Sequence, residues 1–177
     1  MVAVESPEIE IRPVRDDELT TTGEVTAAGY LADGLLELSD GTTDTAYQAR
    51  LLDARLRARQ ADVLVAVERS TIGVVLGSVT WCPPGSAWRE LASAEDQGEF
   101  RMLSVAPAGR GRGIGQALVA DCLRRAKAAG MREVLVSSRP MMTAAHRRYG
   151  RNGFVRDDAL DHSPAPGVAL WGFRLVL

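Results

Sequence analysis

The sequence has few of the residues that mark secreted, membrane or zinc-stabilised proteins. Only two of its 177 residues are cysteines, Cys82 and Cys122, and they form no C-x-x-C pair. This usage suits a reducing compartment and argues against a disulfide framework or a zinc ribbon. No apolar run approaches the roughly 18 residues of a membrane span, and the first residues lack the basic and apolar segments of a secretory signal. We therefore expect a cytoplasmic protein with no membrane partner.

The remaining composition is that of one globular domain. Hydrophobic residues make up 46% of the chain and charged residues 25%, which is a typical balance for a folded protein of ordinary size. We expect a single domain over residues 1–177. His162, in a proline-containing loop, has no partner at metal-ligand spacing, so we predict no metal site.

The net charge of −2 conceals an uneven distribution. From Arg101 to Arg156 there are twelve basic residues and only two acidic ones, whereas the first hundred residues are strongly acidic. A basic segment favours a polyanionic ligand, and an acidic one favours a cationic partner. Nucleic-acid binding usually adds aromatic side chains that stack on bases. Because the basic segment has few aromatic residues, we predict no nucleic-acid partner.

Hydrophobic periodicity predicts an α/β (α+β) fold with a mixed sheet and helices on its faces. Asp16 or Asp17 and then Asp44 are predicted to cap the first two helices, the second with Arg57 and other arginines mostly outward. Further helices are predicted after Gln116 and over 143–150. The predicted strands are 8–12, 62–68, 71–81, 99–105, 133–138, one starting at 153, and 171–177.

A glycine-rich stretch, Gly109 to Gln116, joins the predicted fourth strand to a helix. Glycines in such a turn let backbone N–H groups approach a phosphate, and the helix N-terminus adds partial positive charge. The stretch lacks the Lys-Ser/Thr end of a P-loop, and the dinucleotide pattern G-x-G-x-x-G fails in every frame. Arg110, Gly113 and Gly115 instead fit the R/Q-x-x-G-x-G/A pattern of acetyl-coenzyme A binding. A diphosphate is the ligand that this loop favours, although a purely structural turn is the alternative.

Four segments together resemble the GNAT acyltransferase superfamily. They are the first strand with Ile11-Arg12-Pro13, the fourth strand over 100–107, the loop over 110–116, and the helix and turn over 145–154 with the spacing A-x-x-x-Y-x-x-x-G-F. The resemblance covers nearly all of the chain. It implies a mostly antiparallel sheet of six to seven strands flanked by about four helices.

The resemblance also implies how acetyl-coenzyme A (acetyl-CoA) would bind as a cosubstrate. A bulge near Met102 would separate the fourth strand from the fifth and leave a gap for the thioester arm. The predicted cofactor-binding residues are Leu103, Ser104, Val105, Arg110, Gly111, Arg112, Gly113, Ile114, Gly115, Gln116 and Thr143. In this set the Leu103 amide would polarise the acetyl carbonyl. Thr143 is included because Met142 stands where many members have an asparagine that binds the pantetheine.

Two residues are candidates for proton transfer. Tyr149 stands where the family has its general acid, and a phenol stays protonated at neutral pH; the alternative is that it only packs on the cofactor. Glu99 begins the fourth strand, where several members place a base; the alternative is a solvated charge.

The leading hypothesis is an N-acetyltransferase that moves an acetyl group from acetyl-CoA to a primary amine by direct attack. The acceptor would be a small-molecule or peptide amine, and the acidic first part of the chain favours a cationic one. The alternative is a non-catalytic acyl-CoA sensor or interaction module on the same fold. A homodimer that covers the edge strands is a further hypothesis.

Overall fold

A computed structural model describes residues 9–69 and 73–177 of the protein. These residues form an eight-stranded sheet with helices on both faces. Positions 1–8 and 70–72 lie outside the described residues. They include the N-terminal segment for which no secretory signal is expected, the first residue of the strand predicted over 8–12, and the first two residues of the strand predicted over 71–81.

The sheet is antiparallel except at one pair of strands. Its order is β1-β2-β3-β4-β5-β8-β6, with β7 paired to β8, and β4 and β5 are the parallel pair. The prediction of a mixed, mostly antiparallel sheet is confirmed, and short strands raise the number above the predicted six to seven. The strands are β1 Ile9–Pro13, β2 Asp62–Glu68, β3 Val75–Cys82, β4 Gln97–Val105, β5 Glu133–Ser138, β6 Val155–Arg156, β7 His162–Ala165 and β8 Val168–Val176.

Five α-helices accompany the sheet: α1 Leu19–Ala32, α2 Thr45–Leu52, α3 Ala54–Gln60, α4 Ile114–Ala128 and α5 Thr143–Arg151. Asp44 caps α2 as predicted, accepting a hydrogen bond from the Tyr47 amide at 2.9 Å. The predicted second helix is in fact two helices, because Asp53 ends α2 and its carboxylate caps α3. Within the described ranges, no helix is long and apolar enough to cross a membrane.

The break at Asp53 buries an arginine that the sequence pattern placed outward. Arg57, in α3, is 1% exposed. Its guanidinium donates to the Leu51 carbonyl at 2.7 Å and lies 3.6 Å from the Met102 sulfur. Burial lowers the pKa of Arg57 to about 10. This side chain therefore ties the α2–α3 corner to the middle of β4.

Alternate residues of the central strands pack on opposite faces of the sheet. On β2, Leu64 and Ala66 belong to the larger core, which α4 and α5 cover. Val65 and Val67 face the other side and pack with Val25 of α1. This period of two is what a strand buried on both faces requires. The two helical layers thus enclose β2 to β5.

The feature that positions the site is a separation between β4 and β5. The two strands pair only over Gln97–Glu99 and Glu133–Leu135. Beyond that point the register of β4 against β3 shifts by one residue, and Met102 has a left-handed φ of 54°. An extra residue on one strand bends that strand and interrupts pairing. The predicted bulge near Met102 is therefore confirmed, and a gap opens between the two strands.

Candidate active site

A cleft of about 590 Å³ lies beside the end of β4, between the glycine-rich loop and α5. All the predicted cofactor-binding residues except Arg112 line it. They include Gly111 and Gly113 of the loop, and Ile114 and Gly115 from the first turn of α4. The residues that the loop pattern and the family resemblance predicted thus lie around one cleft, while their roles remain predictions.

The floor of this cleft is the N-terminus of α4. Gly111 and Gly113 both have φ of 76°, a conformation that side-chain-bearing residues rarely adopt, and α4 starts at Ile114 directly after them. The first amides of a helix have no partner within it, and the helix dipole adds positive charge. A Cβ added at Gly111 or Gly113 would meet no atom within 4 Å, so this face of the loop is open. The loop therefore fits a diphosphate.

The arginines around the cleft differ from the predicted set. Arg110 lies at its rim and pairs with Asp33 at 2.9 Å. The prediction that Arg112 binds the cofactor is corrected, because Arg112 does not line the cleft. Its guanidinium pairs with Glu68 of β2 at 2.6 Å. The sequence reasoning missed Arg148 and Arg151, which line the cleft from α5. Their spacing of three residues, which puts both on one face of a helix, is the signal that could have identified them.

Beyond its pairing with β5, β4 borders the gap with backbone groups that no neighbouring strand pairs. The Ala106 amide donates to the Leu76 carbonyl of β3 at 2.8 Å. Because successive peptide groups of a strand point in opposite directions, the groups of Val105 point toward the gap. The Ser104 hydroxyl instead donates to the Val25 carbonyl at 3.2 Å, so its side chain serves the packing of α1. Thr143 and Met142 complete the wall at the start of α5.

A second cavity of about 280 Å³ adjoins this cleft. Most of its wall is apolar and comes from α2, the β4 bulge, the end of β5 and the β7–β8 turn. Tyr30, Leu35, Leu103 and Met142 line both spaces, which therefore meet at the β4 bulge. The fold thus joins the larger cleft beside the glycine-rich loop to a smaller, mostly apolar chamber.

Tyr149 lies in the wall of the second cavity. It is 3% exposed, and its ring packs against Phe100, Phe154 and Phe173. Burial raises the pKa of Tyr149 to about 12. A phenol with this pKa holds its proton throughout the physiological range and is therefore present in the form that can donate a proton.

The prediction that Glu99 is a base is corrected, because its carboxylate holds the backbone of the loop after β3 in place. The side chain is fully buried and accepts hydrogen bonds from the amides of Glu90, Leu91 and Ala92 at 2.9–3.1 Å. Glu99 does not line either cavity. Burial raises the pKa of this carboxyl, and the three amides oppose the shift. A carboxylate held by three amides away from the cavity is poorly placed to accept a proton from an acceptor.

The carboxylates that do line the second cavity are Glu90 and Asp44. Glu90 pairs with Arg101 at 2.5 Å and lies 3.3 Å from the Nε2 atom of His162. Sequence reasoning missed Glu90, because only the folding of the loop after β3 brings it to Arg101. Three arginines share the same wall, so the acidic excess of the first hundred residues is not concentrated here. The charge of this wall therefore does not add support for a cationic acceptor, which stays a prediction.

Comparisons with known proteins agree with this architecture. A mycothiol acetyltransferase from Cellulomonas flavigena is 34% identical over 138 residues, which are 73% of this chain and 39% of that protein. The chain therefore spans about two fifths of the length of this relative. A GCN5-related N-acetyltransferase from Kribbella flavida has a TM-score of 0.67 and 23% identity, with 96% of this chain and 98% of that chain covered.

A third similarity concerns a structure that contains the cofactor. A protein from Salmonella typhimurium, solved with its cofactor acetyl-CoA, has a TM-score of 0.64 and 19% identity, with 96% of this chain and 94% of that chain covered. At this identity the likeness establishes the shared fold. The family model described as the acetyltransferase (GNAT) family matches residues 32–154, well over half of the chain. The protein therefore belongs to the GNAT acetyltransferase family.

Proposed function

We propose that the protein is an N-acetyltransferase that transfers the acetyl group of acetyl-CoA to a primary amine by direct attack. The observation that carries this proposal is the meeting of the two cavities where β4 and β5 separate. The cleft fits a nucleotide diphosphate at one end, and the chamber beside Tyr149 fits a small acceptor. When bound, acetyl-CoA supplies an activated thioester carbonyl.

In the proposed reaction, the chain's own groups stabilise charge and move one proton. The Leu103 amide donates a hydrogen bond to the carbonyl oxygen as negative charge develops on it. The neutral amine of the acceptor forms the new C–N bond while the C–S bond breaks. The Tyr149 hydroxyl gives its proton to the sulfur that leaves with the electron pair. The nitrogen of the product then loses a proton. This proton passes through the cavity to the Tyr149 oxygen and restores the phenol.

The direct test is to incubate the protein with acetyl-CoA and pools of primary amines and to measure free thiol and acetylated product. We expect stoichiometric thiol and N-acetyl product with at least one pool. Calorimetric titration with coenzyme A, run in parallel, separates catalysis from binding. Tight coenzyme A binding without product from any pool would contradict the proposal and favour the non-catalytic sensor.

A substitution at Gly115 tests the proposed diphosphate site without disturbing the core. A Cβ at this position would lie 2.9 Å from the Arg148 guanidinium carbon, so Gly115→Ala must displace the end of that side chain. We expect coenzyme A affinity to fall by about fivefold to tenfold, because a charge-assisted contact is weakened. The free energy of unfolding should stay within about 1 kcal/mol, since alanine favours a helix more than glycine does.

Calorimetry and urea unfolding check this prediction on the same samples. Gly130→Ala is a useful comparison, because Gly130 lies at the opposite end of α4 and has φ of 67°. That variant should lose stability and keep coenzyme A affinity. An unchanged affinity in Gly115→Ala would remove Arg148 from the proposed site.

A further inference from the structure

The wall of the second cavity has more arginines than carboxylates. Arg50, Arg101 and Arg139 line it, against the carboxylates of Asp44 and Glu90. Arg101 is compensated, since it donates to Glu90 at 2.5 Å and to the Trp88 carbonyl at 2.9 Å. The other two arginines have no carboxylate partner among the described residues. The wall of an apolar chamber thus holds two guanidinium groups whose charge is not balanced by an ion pair.

Of these two arginines, Arg139 is the better placed to bind an anion in the cavity. It follows β5 directly, at the end where β5 separates from β4. Its Nη1 atom donates to the carbonyl oxygens of Leu35 and Glu37 at 2.8 and 3.3 Å, which fixes the guanidinium against the turn after α1. Its Nε atom is buried without a partner. The hydrogen bonds of this guanidinium to residues 9–69 and 73–177 are both made by Nη1, and Nη2 makes none of them. Neutral carbonyls leave the full positive charge in place.

Arg50, an exposed residue of α2 that also lines the cavity, adds to this charge. Its guanidinium carbon lies 5.0 Å from the centre of the Trp88 ring, over a side chain that is itself buried. A cation–π contact orients a guanidinium but does not neutralise it. An anion that enters the chamber would therefore meet a fixed arginine on the β5 side and an oriented one on the α2 side.

We propose that the acceptor is a small amine of amino-acid size that carries a carboxylate, and that Arg139 binds this carboxylate through Nη2. The inference rests on the proposed acetyl transfer and specifies its substrate class. Arg139 is half-buried on the wall of this chamber and has no ion-pair partner among the described residues, so a carboxylate that enters the chamber can form charge-assisted hydrogen bonds with it. The volume of about 280 Å³ lies at the lower limit for a ligand pocket, and the apolar wall suits an aliphatic or aromatic side chain.

The experiment compares acceptors that differ only in this charge. L-leucine, L-methionine and L-phenylalanine are each tested against their primary amides, with kcat/KM corrected for the fraction of neutral amine. We expect the carboxylate form to be preferred by at least about tenfold. Arg139→Gln should bring this ratio close to one, and Arg50→Gln should lower it by a smaller factor. Arg55→Gln, an exposed arginine of α3 outside both cavities, is the charge-matched control and should keep the ratio.

Each outcome decides the inference separately from the proposed function. Acetyl transfer at equal or higher rates to the amides would overturn the inference and leave acetyl transfer established. If no acceptor is acetylated, calorimetry on the coenzyme A complex decides. Stronger binding of the amino acids than of their amides would then support the carboxylate site, and the amine pools described above decide acetyl transfer separately. Absence of any binding would overturn the inference. Arg50→Gln keeps the test valid should Arg139→Gln fail to fold.

Discussion

Replacing Tyr149 with phenylalanine should lower kcat by about 100-fold or more while leaving the affinity for coenzyme A within about twofold. General acid catalysis typically contributes about 10² to 10⁴ in rate, and the substitution removes only the hydroxyl. The ring contacts with Phe100, Phe154 and Phe173 remain, so the fold should be preserved. Steady-state kinetics and calorimetry on the same preparation measure both quantities.

The control for this variant is another phenol of the same cavity. Tyr47→Phe removes a hydroxyl from the cavity wall on α2, and we expect it to lower kcat by less than about tenfold because it takes no part in the proposed proton transfer. Since the pKa of Tyr149 is raised to about 12, its ionisation should not reduce activity up to about pH 10. Equal losses in both variants, or unchanged turnover in Tyr149→Phe, would remove Tyr149 from the mechanism.

Replacing Glu99 with glutamine should destabilise the protein by about 3 kcal/mol. Three backbone amides share this buried carboxylate. The glutamine amide group would place donors against donors and leave at least one amide unpaired. Hydrogen bonds to charged groups contribute about 1.5–3 kcal/mol, and breaking a buried charged network costs more. For a chain of this length the melting temperature should fall by roughly 6–12 °C.

Urea unfolding and calorimetry measure this loss, and Glu95→Gln is the matched control. Glu95 is exposed in the same loop, so its substitution should change stability by less than about 0.5 kcal/mol. The pH–rate profile distinguishes an anchor from a base. If Glu99→Gln keeps the wild-type stability and loses the acidic limb of the profile, Glu99 is the base and our assignment of an anchor is wrong.

Local patterns were sufficient for much of the fold and for the conformation of the glycine-rich loop. The succession of most strands and helices follows from alternation and from capping residues such as Asp44, because these are properties of a few neighbouring residues. The predicted cap of the first helix was wrong, because Asp16 and Asp17 lie in a short 3₁₀ turn that precedes α1. The glycine-rich loop is equally local: Gly111 and Gly113 take a backbone conformation that glycine permits, and the helix that follows supplies the amides. The bulge at Met102 was reached only through the family resemblance.

The hydrogen-bond and ion-pair partners of individual charged side chains could not be predicted, because these partners lie far away in the sequence. Arg112 pairs with Glu68, which no spacing within the loop reveals. Glu99 became an anchor because the loop after β3 folds back over it and presents three amides. Arg57 was misplaced because the break at Asp53 changes the face that α3 presents. In each case the tertiary contact, rather than the local pattern, sets the environment of the side chain.

The central claim is that the thioester lies where the two cavities meet, and a crystal structure with acetyl-CoA tests it most directly. Our account predicts the diphosphate on the amides of 113–116 and the pantetheine between β4 and β5. The acetyl carbonyl should accept a hydrogen bond from Leu103, with the sulfur within reach of the Tyr149 hydroxyl. A cofactor bound elsewhere, or a sulfur turned away from the chamber beside Tyr149, would contradict the account.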